Sequence, residues 1–334
     1  MTITSAKLEN FTVFENVQCD FSPGINIFIG ENGTGKTHLL KALYAFANGT
    51  SLSDGYFFSK LRSYFNGVMG RDLVRNRAKD TVAIFHFDTT THGDFGYSIE
   101  TPHDDTEIMS DNDREKEPFP AVMIPAKDML THSRALLTMA KKYSKDMPFD
   151  ETLLEIIEKA ESWKLDNIQE PAKSIMPLLE KVIGGKVIQE NGDFFIQQAN
   201  GDKLRFSHEA EGVKKLGLLW QLLSNGSINL DTLLLWDEPE NSISPKFMPV
   251  LVDALIALQK AGMQIFLSTH DYLFAKYFEV RRTEGDLIRF HSLYKSDSGI
   301  KYEYNENFRD LKENPIISAY DELLDEVIRL NLGD

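Results

Sequence analysis

The hydrophobic residues of this chain fall into two patterns that alternate along its length. Four short runs are almost entirely apolar, which favours strands buried on both faces of a sheet. These runs lie at 25–29, 121–124, 232–236 and 264–267. Longer segments repeat apolar residues every three or four positions, as amphipathic helices do. They lie at 36–49, 148–184, 209–223, 246–260 and 320–327. The alternation predicts an α/β fold.

Other segments alternate apolar and polar residues and contain β-branched or aromatic side chains, which predicts half-buried strands. They lie at 3–14 and 17–21, 82–87 and 95–99, 186–206, and 287–294 with 301–304. A short turn joins the first two, and Asn-Gly turns divide the 186–206 segment into three short strands. We therefore expect antiparallel hairpins, the first of them at the N-terminus.

The length of 334 residues and a hydrophobic share of 42% allow a sizeable core, and we treat 1–334 as a single domain. Within it, residues 51–120 are predicted to form an insertion and 128–184 a helical subdomain. The insertion ends in an acidic stretch, Glu100 to Glu117, with eight acidic and two basic residues. That composition predicts a solvated loop.

The charge balance limits the partners that the chain can bind. It has 36 Lys and Arg against 51 Asp and Glu, a net charge of −15, so nucleic-acid binding would need a local basic patch. One basic stretch has Asp72 as its only acid. It contains Lys60, Arg62, Arg71, Arg75, Arg77 and Lys79. We favour a solvated helix face, with contact to nucleic acid or an acidic partner as the alternative.

Cysteine usage and hydropathy indicate the compartment. Cys19 is the single cysteine, which excludes a disulfide framework within the chain. No run approaches eighteen apolar residues, and Met1 to Glu9 does not resemble a signal peptide. We expect a soluble, cytoplasmic protein with no membrane partner.

A glycine-rich segment between the first apolar run and the next helix carries the most specific signal. It reads Gly30-Glu31-Asn32-Gly33-Thr34-Gly35-Lys36-Thr37 and fits G-x-x-x-x-G-K-[ST] at every position. Glycines let backbone N–H groups turn toward an anion, and the helix N-terminus adds partial positive charge. Lys36 is predicted to bind the β- and γ-phosphates of ATP, and Thr37 to ligate Mg²⁺. His38 is grouped with this nucleotide-binding segment.

Two carboxylates follow the third apolar run. Asp237 is suited to hold Mg²⁺ through water, and Glu238 to orient or deprotonate the attacking water. An ordinary acidic turn is the alternative, and the phosphate loop upstream favours the catalytic interpretation. His270 follows the fourth apolar run, where it can donate to the γ-phosphate. We therefore predict Glu238, His270 and Lys36 as the catalytic residues.

These segments resemble the Walker A, Walker B and switch-histidine motifs of ABC-type ATPases. They read G-E-N-G-T-G-K-T, L-L-W-D-E-P-E and L-S-T-H-D. The opening L-E-N-F and the strand I-N-I-F-I are similar to the SMC/RecF/OLD-like branch, whose stand-alone members are grouped with AAA-family ATPases. The resemblance implies a P-loop ATPase head with a mixed central sheet, an N-terminal antiparallel β-subdomain and a helical insertion. It also implies ATP and Mg²⁺ as cofactors, slow or regulated hydrolysis, and a homodimer closed head to tail around two ATP molecules.

In that family each nucleotide also contacts a signature segment of the partner subunit, and residues 207–225 are the candidate helix here. Gly212 and the helix N-terminus would present backbone N–H groups, and Lys214 would add charge. Ala-Glu-Gly stands in place of the usual Ser-Gly-Gly, so the first position offers no hydroxyl. An ordinary helix start is the alternative. Residues 241–245 match the D-loop position.

A Q-loop is less well marked. Residues 124–128, Ile-Pro-Ala-Lys-Asp, come at the right place in the order and resemble a block of this branch, but they contain no glutamine. A nucleotide-facing Lys127 or Asp128 and a plain structural turn are left as equal alternatives.

Three functions compete for an ATP-driven switch. The first is the ATPase component of a bacterial anti-phage or abortive-infection system with a separate effector such as a nuclease. About sixty residues follow His270, too few for an appended TOPRIM nuclease domain. The second is a RecF/SMC-like DNA-repair or genome-maintenance ATPase, against which the acidic balance and missing coiled coil argue mildly. The third is a transporter subunit, against which the 201-residue gap between Lys36 and Asp237 argues more strongly.

Overall fold

A computed structural model describes residues 2–49, 56–76, 81–91, 93–100, 120–143, 149–190 and 192–332. Two features singled out in the sequence lie partly outside these ranges. They are positions 101–117 of the acidic stretch, and Arg77 and Lys79 of the basic stretch.

The strands are β1 (Ile3–Phe11), β2 (Phe14–Asp20), β3 (Ile25–Ile29), β4 (Val82–Thr89), β5 (Gly93–Glu100), β6 (Ala121–Ile124), β7 (Lys186–Glu190), β8 (Asp193–Gln197), β9 (Lys203–Arg205), β10 (Leu233–Asp237), β11 (Ile265–Thr269), β12 (Ile288–Ser296) and β13 (Gly299–Asn305). The helices are α1 (Lys36–Gly49), α2 (Tyr56–Tyr64), α3 (Gly70–Leu73), α4 (Ser133–Tyr143), α5 (Glu151–Ala160), α6 (Ala172–Ile183), α7 (Glu211–Ser224), α8 (Met248–Lys260), α9 (Tyr272–Arg281) and α10 (Pro315–Leu332).

A six-stranded mixed sheet lies at the centre, with the strand order β13-β12-β3-β11-β10-β6. All neighbours are parallel except β13, which pairs antiparallel with β12. Every residue of β3, β10 and β11 is buried. Ile27 packs into one hydrophobic cluster and Phe28 into another, since successive side chains of a strand point to opposite faces. The predicted α/β fold with a mixed central sheet is confirmed.

The N-terminal hairpin belongs to a second, antiparallel sheet with the order β2-β1-β4-β5. Leu8 of β1 lies opposite both Val17 of β2 and Phe85 of β4. β4 and β5 come from the range 51–120, so part of the expected insertion completes the N-terminal β-subdomain instead of standing apart from it. Alternation along a strand does not reveal which non-consecutive strand is its partner.

The third sheet, β7-β8-β9, is antiparallel and precedes α7. Ahead of it, helices α4 to α6 occupy the range predicted to be a helical subdomain. In the part of the chain that the structure describes, no helix is long and apolar enough to cross a membrane.

Candidate functional site

Three neighbouring parallel strands bring the predicted motifs to one edge of the central sheet. The phosphate loop follows β3, Ser268 and Thr269 end β11, and Asp237 ends β10. Because β3 pairs with β11 and β11 pairs with β10, all in parallel, their carboxyl ends meet. That edge is where open α/β sheets bind ligands.

The phosphate loop takes a backbone path that favours glycine. Gly33 and Gly35 have φ angles of 82° and 93°, in the left-handed region. A Cβ on Gly35 would lie 2.4 Å from Cζ of Phe14, whereas one on Gly33 would meet nothing within 4 Å. Packing and backbone shape both require Gly35, while open space adjoins Gly33 at the loop surface.

The other loop residues maintain its shape or face outward. A Cβ on Gly30 would lie 2.2 Å from a backbone oxygen of β12, so the loop passes close to that strand. Thr34 is buried, and its hydroxyl donates to the carbonyl of Glu31 at 2.9 Å. The Glu31 carboxylate is exposed and pairs with Lys295 at 3.2 Å. Asn32 is exposed at the tip.

Lys36 begins α1, and its amine turns back into the loop. Nζ donates to the carbonyl oxygens of Gly30 at 2.6 Å and Glu31 at 2.9 Å. Burial lowers the pKa of Lys36, and the nearby carboxylates of Glu238 and Asp237 oppose that shift. The amine therefore lies inside the loop, in reach of a phosphate group held there.

Thr37 and Asp237, the two predicted Mg²⁺ ligands, are in contact. The Thr37 hydroxyl donates to Oδ2 of Asp237 at 2.9 Å, across 200 positions of sequence. The Ser268 hydroxyl donates to Oδ1 of the same carboxylate. Hydroxyl and carboxylate oxygens suit Mg²⁺, which keeps several water ligands and commonly completes its shell with phosphate oxygens.

Thr37 and Asp237 would supply one hydroxyl and one carboxylate, which are part of a Mg²⁺ coordination shell. Among the described residues, no group of three or more His, Cys, Asp or Glu side chains could hold a metal ion. The donors present fit a Mg²⁺ ion that arrives with a nucleotide better than a dedicated all-protein metal site.

Glu238 and His270, the predicted catalytic pair, also lie together. Nδ1 of His270 is 3.0 Å from Oε1 of Glu238. Glu238 has a φ of 47°, in the left-handed region that costs a non-glycine residue free energy. Its backbone N–H donates to Ser268 O at 3.1 Å, which fixes the start of the turn after β10. Strain of this kind persists where surrounding contacts over-determine the conformation.

Two buried side chains that the sequence did not single out surround this pair. Nζ of Lys215 donates to the carbonyl of Glu238 at 2.7 Å, and burial lowers the pKa of Lys215. Glu240 accepts a hydrogen bond from Thr269 at 2.6 Å, and burial raises the pKa of Glu240 to about 7. The sequence signal for Glu240 was its place as the third acidic residue of D-E-P-E, two positions after Glu238.

His38 lies on the first turn of α1, beside Thr37. Its ring meets Phe65 edge-on with centroids 5.1 Å apart, and its buried Nδ1 has no hydrogen-bond partner among the described residues. Burial, reinforced by the positive charge of Lys41, lowers the pKa of His38 to about 4. The imidazole is therefore neutral near pH 7, and its ring supplies no positive charge to the phosphate loop.

The signature-like helix α7 begins at Glu211 and packs its N-terminus onto the predicted D-loop. A Cβ on Gly212 would lie 2.5 Å from the carbonyl oxygen of Ser242. Lys214 is buried and pairs with Glu211 at 2.8 Å. Gly212 thus has a packing role within its own chain.

Residues of the Q-loop candidate and of the basic stretch form hydrogen bonds and ion pairs within their own chain. Asp128 accepts from the Leu130 backbone at 3.0 Å, while Lys127 is exposed. Lys60 bonds to both Glu151 and Glu155 of α5, at 2.7 and 2.6 Å. Arg62 donates to the Val68 carbonyl at 3.1 Å, and Arg75 pairs with Glu15 at 3.2 Å. Three basic side chains of the stretch are thus held by acidic or carbonyl groups of the same chain.

Two family models match different parts of the chain. The "AAA ATPase domain" model matches residues 1–119, and the "AAA domain, putative AbiEii toxin, Type IV TA system" model matches residues 148–275. The phosphate loop lies within the first match, and Asp237, Glu238 and His270 lie within the second.

Curated relatives share a short segment. The "DNA replication and repair protein RecF" of Listeria welshimeri is 47% identical over 47 residues, which are 14% of this chain and 13% of that protein. RecF of Chlamydia abortus is 40% identical over 70 residues, 20% of this chain and 18% of that protein. The matched segment thus spans less than a fifth of either relative.

Solved structures match along nearly the whole chain. The Smc head domain from Pyrococcus furiosus, bound to the C-terminal domain of ScpA, has a TM-score of 0.55 at 12% identity and covers 97% of this chain and 99% of its own. The SMC head domain from Thermotoga maritima has a TM-score of 0.51 at 13% identity, with coverage of 92% and 100%. At such identities the likeness is one of fold. Together with the AAA family matches and the RecF segment, this likeness supports an ABC-type ATPase of the SMC/RecF branch.

Proposed function

We propose that this chain binds MgATP between the phosphate loop and the Asp237–Glu238 pair and hydrolyses it slowly. The observation that carries the proposal is the 2.9 Å hydrogen bond between Thr37 and Asp237. It joins the phosphate loop to a carboxylate 200 positions away, as a shared Mg²⁺ site requires.

Each side chain has a distinct task in this mechanism. Lys36 binds the β- and γ-phosphates and offsets charge that develops in the transition state. Glu238 orients the attacking water and accepts its proton. His270, 3.0 Å from Glu238, donates to the γ-phosphate. Mg²⁺ held by Thr37 and by Asp237 would neutralise phosphate charge.

We further propose that two copies close on two ATP molecules, with the α7 N-terminus of each facing the nucleotide of the other. Replacing Glu238 with Gln removes the proton acceptor and keeps the shape, so it should trap the closed state. Light scattering after gel filtration is expected to show a dimer of Glu238→Gln with MgATP and a monomer without it. A monomer in both conditions would contradict the dimer, and the Lys36→Ala/Glu238→Gln double variant is the control that should not dimerise.

The switch is proposed to serve an anti-phage or abortive-infection system and to act on a separate effector such as a nuclease. The match of residues 148–275 to a family described as a putative AbiEii toxin supports this. Affinity purification of Glu238→Gln with ATP from the native host, with Lys36→Ala as the matched control, should enrich an effector only in the nucleotide-trapped form. Equal enrichment by both variants would count against a nucleotide-gated effector.

RecF/SMC-like genome maintenance is a second candidate that fits as well as the first. The RecF segment and the SMC head fold both favour it. It predicts an ATPase rate that rises on addition of linear duplex DNA and not on addition of the same DNA as a closed circle. An unchanged rate with both would favour the effector-gating role.

A further inference from the structure

Glu240 is a buried carboxylate that the proposed chemistry does not use. Glu240 is 4% exposed to solvent. Oε1 accepts a hydrogen bond from the Thr269 hydroxyl at 2.6 Å, while Oε2 is buried with no hydrogen-bond partner among the described residues. A buried carboxyl group with one unpaired oxygen is costly, and such groups commonly mark functional constraints.

The hydrogen bonds around Thr269 have a defined direction. The backbone N–H of Asp271 donates to the Thr269 hydroxyl at 3.0 Å. Because that oxygen accepts from Asp271, its own proton is free to point at Glu240. The Asp271 carboxylate in turn accepts from the Phe274 N–H at 2.6 Å and caps α9. Glu240 thus fixes the chain on both sides of residue 270.

His270 depends on this backbone for its position. Its side chain is 48% exposed, so packing does not hold it. Its contact with Glu238 therefore requires that residues 269–271 keep their place at the end of β11. A displacement of about 1 Å in such a pair is enough to slow a reaction by about 100-fold.

Glu238 has further backbone contacts that do not involve Thr269. Its carbonyl accepts from Lys215 at 2.7 Å and from the Asn241 N–H at 3.1 Å, which maintain its left-handed backbone. Glu238 is thus held by α7, the D-loop turn and Ser268 of β11. The Glu240–Thr269 bond is a further contact, and it acts on the residue directly before His270.

We propose that Glu240, acting through the Thr269 hydroxyl, is a positioning residue that keeps His270 in contact with Glu238. This inference rests on the proposed ATPase function and adds a residue pair to it. Burial also raises the pKa of Glu240 to about 7, and Oε1 accepts from Thr269 in both the neutral and the ionised form.

Thr269→Val tests the proposal, because it removes the hydroxyl and nearly preserves the shape. We expect kcat for ATP to fall by about tenfold or more, with KM within about twofold, because positioning affects the reaction more than binding. Thr269→Ser restores the hydroxyl and should recover most of the lost kcat. Thr152→Val is the matched control, since buried Thr152 also donates to a carboxylate, that of Asp150, away from the site.

A double-mutant cycle with His270→Ala separates positioning from general destabilisation. If Thr269 acts through His270, Thr269→Val should leave the single-turnover rate of His270→Ala unchanged within about twofold. An additive loss would overturn the proposal, as would a Thr152→Val loss of kcat equal to that of Thr269→Val.

Failure of the proposed ATPase function would give a different result, namely no hydrolysis by the wild-type chain. In that case the ¹⁵N signals of the His270 imidazole decide the positioning claim. We expect them to move in Thr269→Val and to return in Thr269→Ser. Signals that stay unchanged in Thr269→Val would overturn the claim without reference to activity.

Discussion

Two helix N-termini, those of α1 and α7, were predicted to contact nucleotide, and the structure builds them differently. In the phosphate loop ahead of α1, a Cβ on Gly35 would lie 2.4 Å from Phe14, whereas one on Gly33 would meet no atom within 4 Å. At the start of α7, a Cβ on Gly212 would lie 2.5 Å from the Ser242 carbonyl oxygen. Gly33 thus adjoins open space, and Gly212 permits a close approach of two backbone segments. A glycine at a helix start is therefore weak evidence of an anion site until its surroundings are known.

The lysines of the two termini differ in the same way. Lys36 donates to neutral carbonyl oxygens of its own loop, whereas Lys214 pairs with the Glu211 carboxylate and lies 3.9 Å from that of Asp128. A phosphate would add a charge-assisted bond to Lys36, but it would have to compete with carboxylates for Lys214. We therefore expect α1 to provide the nucleotide affinity of a single chain, while α7 would contact nucleotide in the proposed dimer.

The largest expected effect comes from exchanging the two lysines for alanine. Lys36→Ala should weaken MgATP binding by about 100-fold, because it removes a charge-assisted contact to phosphate. Lys214→Ala should change the affinity of the single chain by less than about threefold. Isothermal titration at protein concentrations that keep the chain monomeric measures both. Equal losses in the two variants would mean that both termini bind the same nucleotide within one chain.

Alanine at Gly212 and alanine at Gly33 should both lower stability but should differ in their effect on MgATP affinity. Gly212→Ala forces Cβ against the Ser242 carbonyl oxygen and should lower the free energy of unfolding by about 1–3 kcal/mol while MgATP affinity stays unchanged. Gly33→Ala has room for its methyl group, so it should cost only the backbone strain of about 1–2 kcal/mol. Its methyl group at the loop surface should nevertheless weaken MgATP binding. Denaturant unfolding measures the stability of both variants, and nucleotide titration measures their MgATP affinity. An equal loss of MgATP affinity in both variants would contradict the prediction.

A smaller effect should appear in the pH dependence of stability, through the buried carboxyl group of Glu240. The pKa of Glu240 is about 7 in the folded chain, above the value of about 4.3 for an unperturbed Glu. The folded state therefore binds the extra proton, and its stability should fall as pH rises from about 4.3 to 7 and level off above that. Between pH 5.5 and 8 this group should contribute a loss of about 2 kcal/mol.

Glu240→Gln does not titrate, so it should lack that part of the pH dependence. Denaturant unfolding of the wild-type chain and of Glu240→Gln at both pH values measures the difference between their slopes. Parallel pH profiles would show that Glu240 is ionised throughout, contrary to the effect of its burial.

The sequence was sufficient where the chemistry is local. The buried run before the phosphate loop predicted β3, the helical period after it predicted α1, and the D-E and S-T-H segments ended strands as expected. These inferences needed only neighbours along the chain, because the loop's glycines and the strand ends are fixed by short-range rules.

The contacts between strands could not be predicted in the same way. The pairing of Glu240 with Thr269 depends on which strands are neighbours and in what register. One residue of slippage would turn the Thr269 side chain to the other face of the sheet. The contact of Lys215 with the Glu238 carbonyl depends on where helix α7 packs. The same reason explains why the sequence predicted the strands of the 51–120 insertion but not that β4 would pair with β1.

The central claim is that the phosphate loop and Asp237 form one MgATP site, and a titration of Asp237→Asn tests it most directly. Asparagine keeps the shape and can accept from one of the Thr37 and Ser268 hydroxyls while its amide group donates to the other. It loses the charge that attracts Mg²⁺. We expect the wild-type chain to bind ATP more tightly with Mg²⁺ than with EDTA, and Asp237→Asn to lose this gain while its metal-free ATP affinity is unchanged. A full Mg²⁺-dependent gain in Asp237→Asn would contradict the account.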